Sequence, residues 1–332
     1  MVNLLTAALA TFLSFLFTGL AMLYARRSGL IDIPGERHSH REATPRGGGA
    51  GLVLALVIMA VAPLGAQMPD PVFTVVLPGF VALALLGWLD DHRPLRARTR
   101  FVVQVLVCIF LVWNLPRSGA FASAWFAVAA VLFAAWMINL YNFMDGSNGM
   151  AAGQGVFATA VLAGLFQRAD EPGFAALCLL TAACCVGFLP WNLGRARVFM
   201  GDVGSLALGF LIAALLLFGV TGGAFSLPVG LMVMAVFLAD STLTLRLRVT
   251  RGEQWYNAHR QHLYQRLIAR GWTPGRVLLG YQFVNLAVVL PAIVFGVSRP
   301  DRAWPVAVTL AVALALAWYL SLKRIGVLAA AR

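Results

Sequence analysis

Eleven apolar runs punctuate the chain from end to end, and they constrain its fold more than any other feature. A helix needs about 20 apolar residues to cross a bilayer, with a range of roughly 17–25. Bounded by Pro, Gly and charge, the runs cover about 4–24, 48–67, 73–89, 101–115, 121–141, 151–166, 173–193, 205–222, 225–241, 276–297 and 304–322. Of the 332 residues 61% are apolar and only 11% charged, whereas a soluble domain runs nearer half and a quarter. A water-soluble globule is excluded. In lipid a segment must satisfy its own backbone polar groups, so the expected fold is all-α. It is a polytopic integral membrane protein of about eleven transmembrane helices, built as a single transmembrane domain over residues 1–332. Cys108, Cys178, Cys184 and Cys185 all sit inside apolar runs and read as core residues.

Charge supplies the orientation. The first run has no basic residue before it and Arg26–Arg27 after it, the reverse of a signal peptide, so a retained helix starting outside is expected. Eleven spans then leave the C-terminus inside, with cytoplasmic loops at about 25–47, 90–100, 142–150, 194–204 and 242–275. That topology puts 21 of the 25 Lys and Arg residues inside and leaves Arg117, Arg168, Arg299 and Arg302 outside, as the positive-inside rule requires. Nine of the 13 acids are also inside, so the whole net charge of +12 falls on one face. The excess is an orientation signal and a counter-charge for anions; it does not point to nucleic acid.

The acids are more informative. Asp90, Asp91, Asp145, Asp202 and Asp240 fall at the inner ends of spans three, five, seven and nine. A lone Asp at a helix end is usually a cap, but several on one side of a membrane mark a shared site. All five histidines, His38, His40, His92, His259 and His262, are assigned to the same side. Carboxylates, imidazoles and arginines together suggest a divalent cation with a phosphorylated substrate.

Four segments carry this chemistry. In NLYNFMDGSNGMA (139–151) Asn139, Asn142 and Asp145 lie one turn apart on a single helix face. In VFMGDVGSLALGF (198–210) Asp202 stands between Gly201 and Gly204 at a helix start, where free N–H groups favour anions. GWLDDHRPLRARTR (87–100) sets adjacent carboxylates before four arginines; like charges this close need a cation or base to compensate. For the arginines alone, a solvated inner loop is the better reading. HRQHLYQRL (259–267) spaces His259 and His262 for one helix face, more suited to phosphate than to zinc. The loop 34–49, rich in Gly, Pro and Arg, reads as an ordered anion-binding loop, with Arg46 assigned to substrate binding.

Together these segments resemble the bacterial polyprenyl-phosphate N-acetylhexosamine-1-phosphate transferases of glycosyltransferase family 4, over roughly residues 30–270. The resemblance implies transfer from a UDP-N-acetylhexosamine to undecaprenyl phosphate, giving a polyprenyl-diphospho-sugar and UMP. It further implies Mg²⁺, with Mn²⁺ as substitute, and an active site on the cytoplasmic face of the bacterial inner membrane. A homodimer is left open. By motif, Asp202 is similar to the family's metal-binding aspartate. Asp90 and Asp91 match its adjacent acid pair, with Asp90 the base or orienting carboxylate for the lipid phosphate. Asn142 and Asp145 match nucleotide-sugar and catalytic positions, Asn139 and Asn148 join the substrate set, and Asn192, Arg197 and Phe199 border the nucleotide pocket. His259 and His262 match the histidine-rich loop.

Two departures stand out. Asn148 replaces the second acid of the DGxDG pattern, and the histidine segment reads HRQH where lipid I synthases have three successive histidines. With ADSTLTLRLR at 239–248, this makes the chain resemble the O-antigen and surface-polysaccharide initiators more closely. Two rival classes remain. A proton-coupled transporter would place acids nearer mid-membrane, and a polyprenyl transferase releasing diphosphate would show a D-x-x-x-D spacing that is absent here.

Overall fold

The computed structural model describes residues 2–32, 43–62, 68–116, 119–254 and 260–327. Among these, every one of the eleven apolar runs is helical, and the strands amount to one two-residue pair. Eight helices are long and apolar enough to cross a membrane, and a ninth crossing is available from two helices bent by 79°. The protein is an all-α, multi-pass membrane protein. Two runs are shorter as helices, at 13 and 17 residues. The chain divides into two compact units.

The first unit holds the described residues of Met1–Ile33 and Ala43–Phe225. Its elements are α1 (Leu4–Ser28), β1 (Ile31–Asp32), β2 (Thr44–Pro45), α2 (Gly49–Val61), α3 (Leu77–His92), α4 (Ala97–Trp113), α5 (Ala124–Met144), α6 (Met150–Arg168), α7 (Pro172–Asn192) and α8 (Asp202–Thr221). A π-helical turn, Val72–Val76, runs straight into α3. The two strands pair antiparallel, Ile31 opposite Pro45. Two helix starts are capped by side chains: Asn3 accepts from the Thr6 amide at 2.8 Å and Ser123 from the Phe126 amide at 3.2 Å.

Helix α8 is the centre of this unit. Its residues Val203 to Thr221 are all buried, which follows from a sequence with no polar face. It packs against α3 and α5. Small residues set these contacts, as is usual where van der Waals fit replaces hydrophobic drive between membrane helices. At Gly209, a Cβ would stand 2.9 Å from the Ile138 Cα and 3.0 Å from the Tyr141 Cβ of α5. Helix α1 is the opposite case, with Leu5, Phe12 and Leu20 exposed; its polar atoms turn inward, Ser14 Oγ donating to the Cys184 carbonyl at 2.7 Å.

Two boundaries differ from the sequence reading. Arg98 and Arg100, read there as loop residues, stand in the first turn of α4, because the polar stretch after α3 needs only four residues to turn the chain. The ninth run, read as one span over 225–241, is broken.

That break lies in the second unit, described here within Ser226–Arg332. Its helices are α9 (Leu227–Val233), α10 (Ala235–Thr250), α11 (Leu263–Ala269), α12 (Pro274–Val284), α13 (Leu290–Ser298) and α14 (Ala303–Arg324). A π-helical turn joins α12 to α13. The apolar run ends at Ala239, and α10 continues through Asp240, Thr244, Arg246 and Arg248. The bend at Met234 falls inside the apolar run, so that α10 begins with the apolar residues 235–239 and continues into the polar ones.

Candidate active site

The C-terminal ends of α3 and α5 and the N-terminal ends of α4 and α8 meet in the first unit, and each contributes a polar side chain. At the end of α3, Asp90 and Asp91 are both buried and have different partners. Asp90 accepts from the Leu95 amide at 2.6 Å and from Arg100 Nη1 at 2.6 Å. Asp91 reaches the other way, accepting from the amides of Asp202 and Val203, each at 3.2 Å. It therefore caps α8 from a neighbouring helix, where exposed N–H groups and the helix dipole favour a carboxylate. Arg46 donates to the Asp91 carbonyl and holds its Nε 3.9 Å from the Asp91 carboxylate.

Two glycines make this approach available. Gly201 has φ +73°, and a Cβ there would lie 2.6 Å from Asp91 Oδ2. Gly87, one turn before Asp90 and Asp91, faces the Asp202 backbone; its Cβ would stand 2.2 Å from the Asp202 carbonyl oxygen. Only a bare backbone fits at either place.

Asp202 opens α8 and is held on both sides. Asn142 Nδ2 donates to its Oδ1 at 2.9 Å and Arg100 Nη1 to its Oδ2 at 3.3 Å. The Asn142 amide also meets Ser205 Oγ at 2.9 Å, and that hydroxyl donates to the Gly201 carbonyl at 3.1 Å. Asp145 caps the end of α5. Burial pushes its carboxyl well above the ordinary 3.8, and the charges of Asp202 and Asp91 push the same way.

The remaining substrate candidates shape the rim. Asn192 is buried with both ends of its amide committed: Oδ1 accepts from the Gly149 amide at 2.6 Å, and Nδ2 donates to the Val198 carbonyl at 2.9 Å. It ties the loop after α5 to the loop before α8. Asn148 Nδ2 donates to the Gly194 carbonyl at 2.6 Å. The Arg197 guanidinium lies 5.8 Å from the Trp191 ring centroid. The Phe199 amide donates to the Pro45 carbonyl at 2.8 Å, and its own carbonyl accepts from Gly48 at 2.9 Å. Asn139 shares its helix face with Asn142 but donates to Gln104 of α4 and to the Ala135 carbonyl, each at 2.8 Å. The structure thus brings Asp90, Asp91, Asn142, Asp145, Asp202 and Arg46 together, and gives Asn139 to a helix–helix contact.

His259 lies outside the described residues. His262, in the second unit, is buried at the start of α11, its Nδ1 4.0 Å from Asp240. Burial lowers its pKa below 6.5; Arg248 and Arg266 add to this and Asp240 opposes it. Asp240, grouped in the sequence with the other inner acids, is the anchor of this second unit. It accepts from the Leu263 amide at 2.8 Å, Tyr281 Oη at 2.7 Å, Trp318 Nε1 at 3.1 Å and Thr244 Oγ1 at 3.2 Å. Arg100, Ser205 and Gln104 were not singled out in the sequence. An Arg inside a basic stretch, a Ser in an apolar helix and a Gln in another carry no signal until the helices pack.

The described residues contain no ready cage of three or more His, Cys, Asp or Glu. Mg²⁺ does not need one, since it keeps several waters and takes one or two carboxylates plus substrate phosphates. Asp90 and Asp202 already converge on one guanidinium nitrogen, and Asp145, disfavoured as an anion first by burial, also feels the charges of Asp202 and Asp91. An all-oxygen set short of positive charge fits a hard divalent cation.

Comparison with known proteins agrees with this geometry. The family described as glycosyl transferase family 4 matches residues 73–220, which contain all four converging helix ends. The chain is 30% identical over 324 residues to a decaprenyl-phosphate N-acetylglucosaminephosphotransferase of Mycolicibacterium smegmatis, covering 85% of this chain and 79% of that one. It is 27% identical over 311 residues to a probable undecaprenyl-phosphate N-acetylglucosaminyl 1-phosphate transferase of Bacillus subtilis, covering 90% and 84%. It is also 27% identical over 311 residues to the undecaprenyl-phosphate alpha-N-acetylglucosaminyl 1-phosphate transferase of Escherichia coli K12, covering 87% and 83%. The chain belongs to the polyprenyl-phosphate N-acetylhexosamine-1-phosphate transferases of glycosyl transferase family 4.

Proposed function

We propose that this phosphoglycosyl transferase moves an N-acetylhexosamine 1-phosphate from a UDP-sugar to undecaprenyl phosphate at the cytoplasmic face of the bacterial inner membrane. UMP is released, and the product begins a cell-surface polysaccharide such as O-antigen. One observation carries the reading: carboxylates from α3 and α8, an amide from α5 and a guanidinium from α4 form a single hydrogen-bonded network at adjacent helix ends. The names of the relatives support a polyprenyl phosphate as acceptor and N-acetylglucosamine as the sugar.

In the reaction an oxygen of the lipid phosphate forms a bond to the phosphorus that bears the sugar. The bond from that phosphorus to its bridging oxygen breaks, and UMP leaves with the oxygen and its electron pair. A phosphate monoester has its second pKa near 6, with a charge of about −1.5 to −2 at pH 7, so the main barrier is bringing two anions together. Asp90 orients the lipid phosphate and accepts any remaining proton. Arg46 and Arg100 supply positive charge around it. Asn142 and Asp91 fix Asp202, through its carboxylate and its backbone amide respectively. Asp202, with Asp90 and Asp145 beside it, would hold Mg²⁺, which when bound neutralises diphosphate oxygens and the departing UMP. Asn192 and Asn148 hold the rim loops against each other.

The test is UMP release by the purified protein from polyprenyl phosphate, Mg²⁺ and a panel of UDP-linked GlcNAc, FucNAc and QuiNAc. Asp202→Asn, checked for folding, is expected to lower turnover on the order of 10²-fold or more. Wild-type turnover and metal dependence in that folded variant would overturn the assignment. Release of diphosphate in place of UMP would overturn the reaction.

A further inference from the structure

Arg100 has two properties that an orientation signal does not explain. One nitrogen, Nη1, meets carboxylates from two different helices, Asp90 at 2.6 Å and Asp202 at 3.3 Å. The residue also stands in the first turn of α4, where the helix dipole disfavours a cation. Orientation needs only a basic residue on the inner side; it needs neither this site nor this partner pair. The side chain is 36% exposed, so it is not sealed behind the carboxylates it holds.

The charges explain the placement. Asp90 and Asp202 are drawn to one point and repel each other there unless a positive group sits between them. Arg100 fills that need within the chain, and a guanidinium can exchange a carboxylate for a phosphate because its fork suits both. We propose that Arg100 is an internal counter-cation: it competes with a divalent cation for Asp202 and, on giving up that carboxylate, meets the substrate phosphate. This rests on the divalent-cation reading above. The cost of the arrangement is metal affinity. While Arg100 holds Asp202, the carboxylate is less available, and its positive charge repels an incoming cation. The benefit is that Asp90 and Asp202 keep their positions before substrate arrives.

The experiment measures Mn²⁺ binding by electron paramagnetic resonance to the full chain in detergent, without substrates. Wild type, Arg100→Gln, Arg100→Lys and Asp202→Asn are compared, with thermal melts to check folding. Arg100→Gln is expected to bind Mn²⁺ about tenfold more tightly or better, Arg100→Lys close to wild type, and Asp202→Asn far more weakly. At saturating Mn²⁺, Arg100→Gln is expected to lose at least about tenfold in transfer, because the phosphate has lost its partner. Equal or weaker Mn²⁺ binding by Arg100→Gln overturns the competition. Tighter binding with undiminished transfer overturns the role toward phosphate. If neither wild type nor Arg100→Gln binds Mn²⁺, the divalent-cation reading fails, and the competition with it.

Discussion

Adjacent residues of like chemistry have separate tasks in this site. Asp90 takes the Leu95 amide and Arg100, while Asp91 takes the two amides that open α8. Asp145 is raised by burial and by its acidic neighbours, with a sign that can be tested. Because the folded protein holds this proton more tightly than the unfolded chain, stability falls as pH rises through and above the ordinary 3.8. In metal-free protein, Asp145→Asn is therefore expected to raise the melting temperature at pH 7.5 and to lose that gain near pH 4, while transfer falls on the order of 10²-fold. Melting scans across pH, with a turnover assay, check both. Asn192 is a different case, since its amide bridges two loops and leaves a buried N–H behind if removed. Asn192→Ala is expected to cost about 2 kcal/mol and to raise the KM for the UDP-sugar through loss of loop order; melts and steady-state kinetics report it.

At the scale of elements, the approach of α3 to α8 decides whether the acids meet. Helix α8 is apolar on every side, so the sequence marks it as buried without saying against what. Gly87 supplies the answer, because it lets α3 lie on the first turn of α8 one turn before its own acids. Gly87→Ala adds one methyl group against backbone and is expected to destabilise the protein by about 2–3 kcal/mol. It should also impair transfer, because Asp91 is moved off its cap. Gly164 of α6, where a Cβ meets nothing within 4 Å, is the control. Gly164→Ala is expected to leave both melting temperature and activity unchanged. Equal effects at the two positions would sink this account. The bend between α9 and α10 belongs to the same scale: it falls inside an unbroken apolar run, where hydropathy gives no sign of it.

For the whole molecule, the charge distribution makes a prediction about sides. The inner segments of the expected topology carry the full +12, which anionic lipid on the cytoplasmic leaflet favours. All four native cysteines are buried, so single exposed cysteines can report sidedness in intact cells. Asp170→Cys is expected to react with a membrane-impermeant maleimide, and Arg98→Cys only after the cells are opened. The reverse pattern would invert the topology and move the site to the other face.

Much of this was legible in the residues. Apolar runs dictate helices, since backbone groups in lipid have no other partner, and all eleven runs are helical among the described residues. The motifs around Asp90, Asp145 and Asp202 pick out acids that the fold brings together, as expected where carboxylates at membrane-helix ends are costly. What the sequence could not determine is how partners are shared. One face of α5 carries Asn139, Asn142 and Asp145, yet Asn139 bonds Gln104, and Asn142 bonds Asp202, 60 positions away. Asp240, which its position at a helix end groups with the other acids, accepts hydrogen bonds from α11, α12 and α14 within its own unit. Arg100 looked like one of several inner arginines, and tertiary structure alone set it between two carboxylates. The physical reason is range. Hydropathy and helical spacing act within a segment and are written in it, whereas a hydrogen bond or ion pair between helices depends on which small residues let two backbones approach.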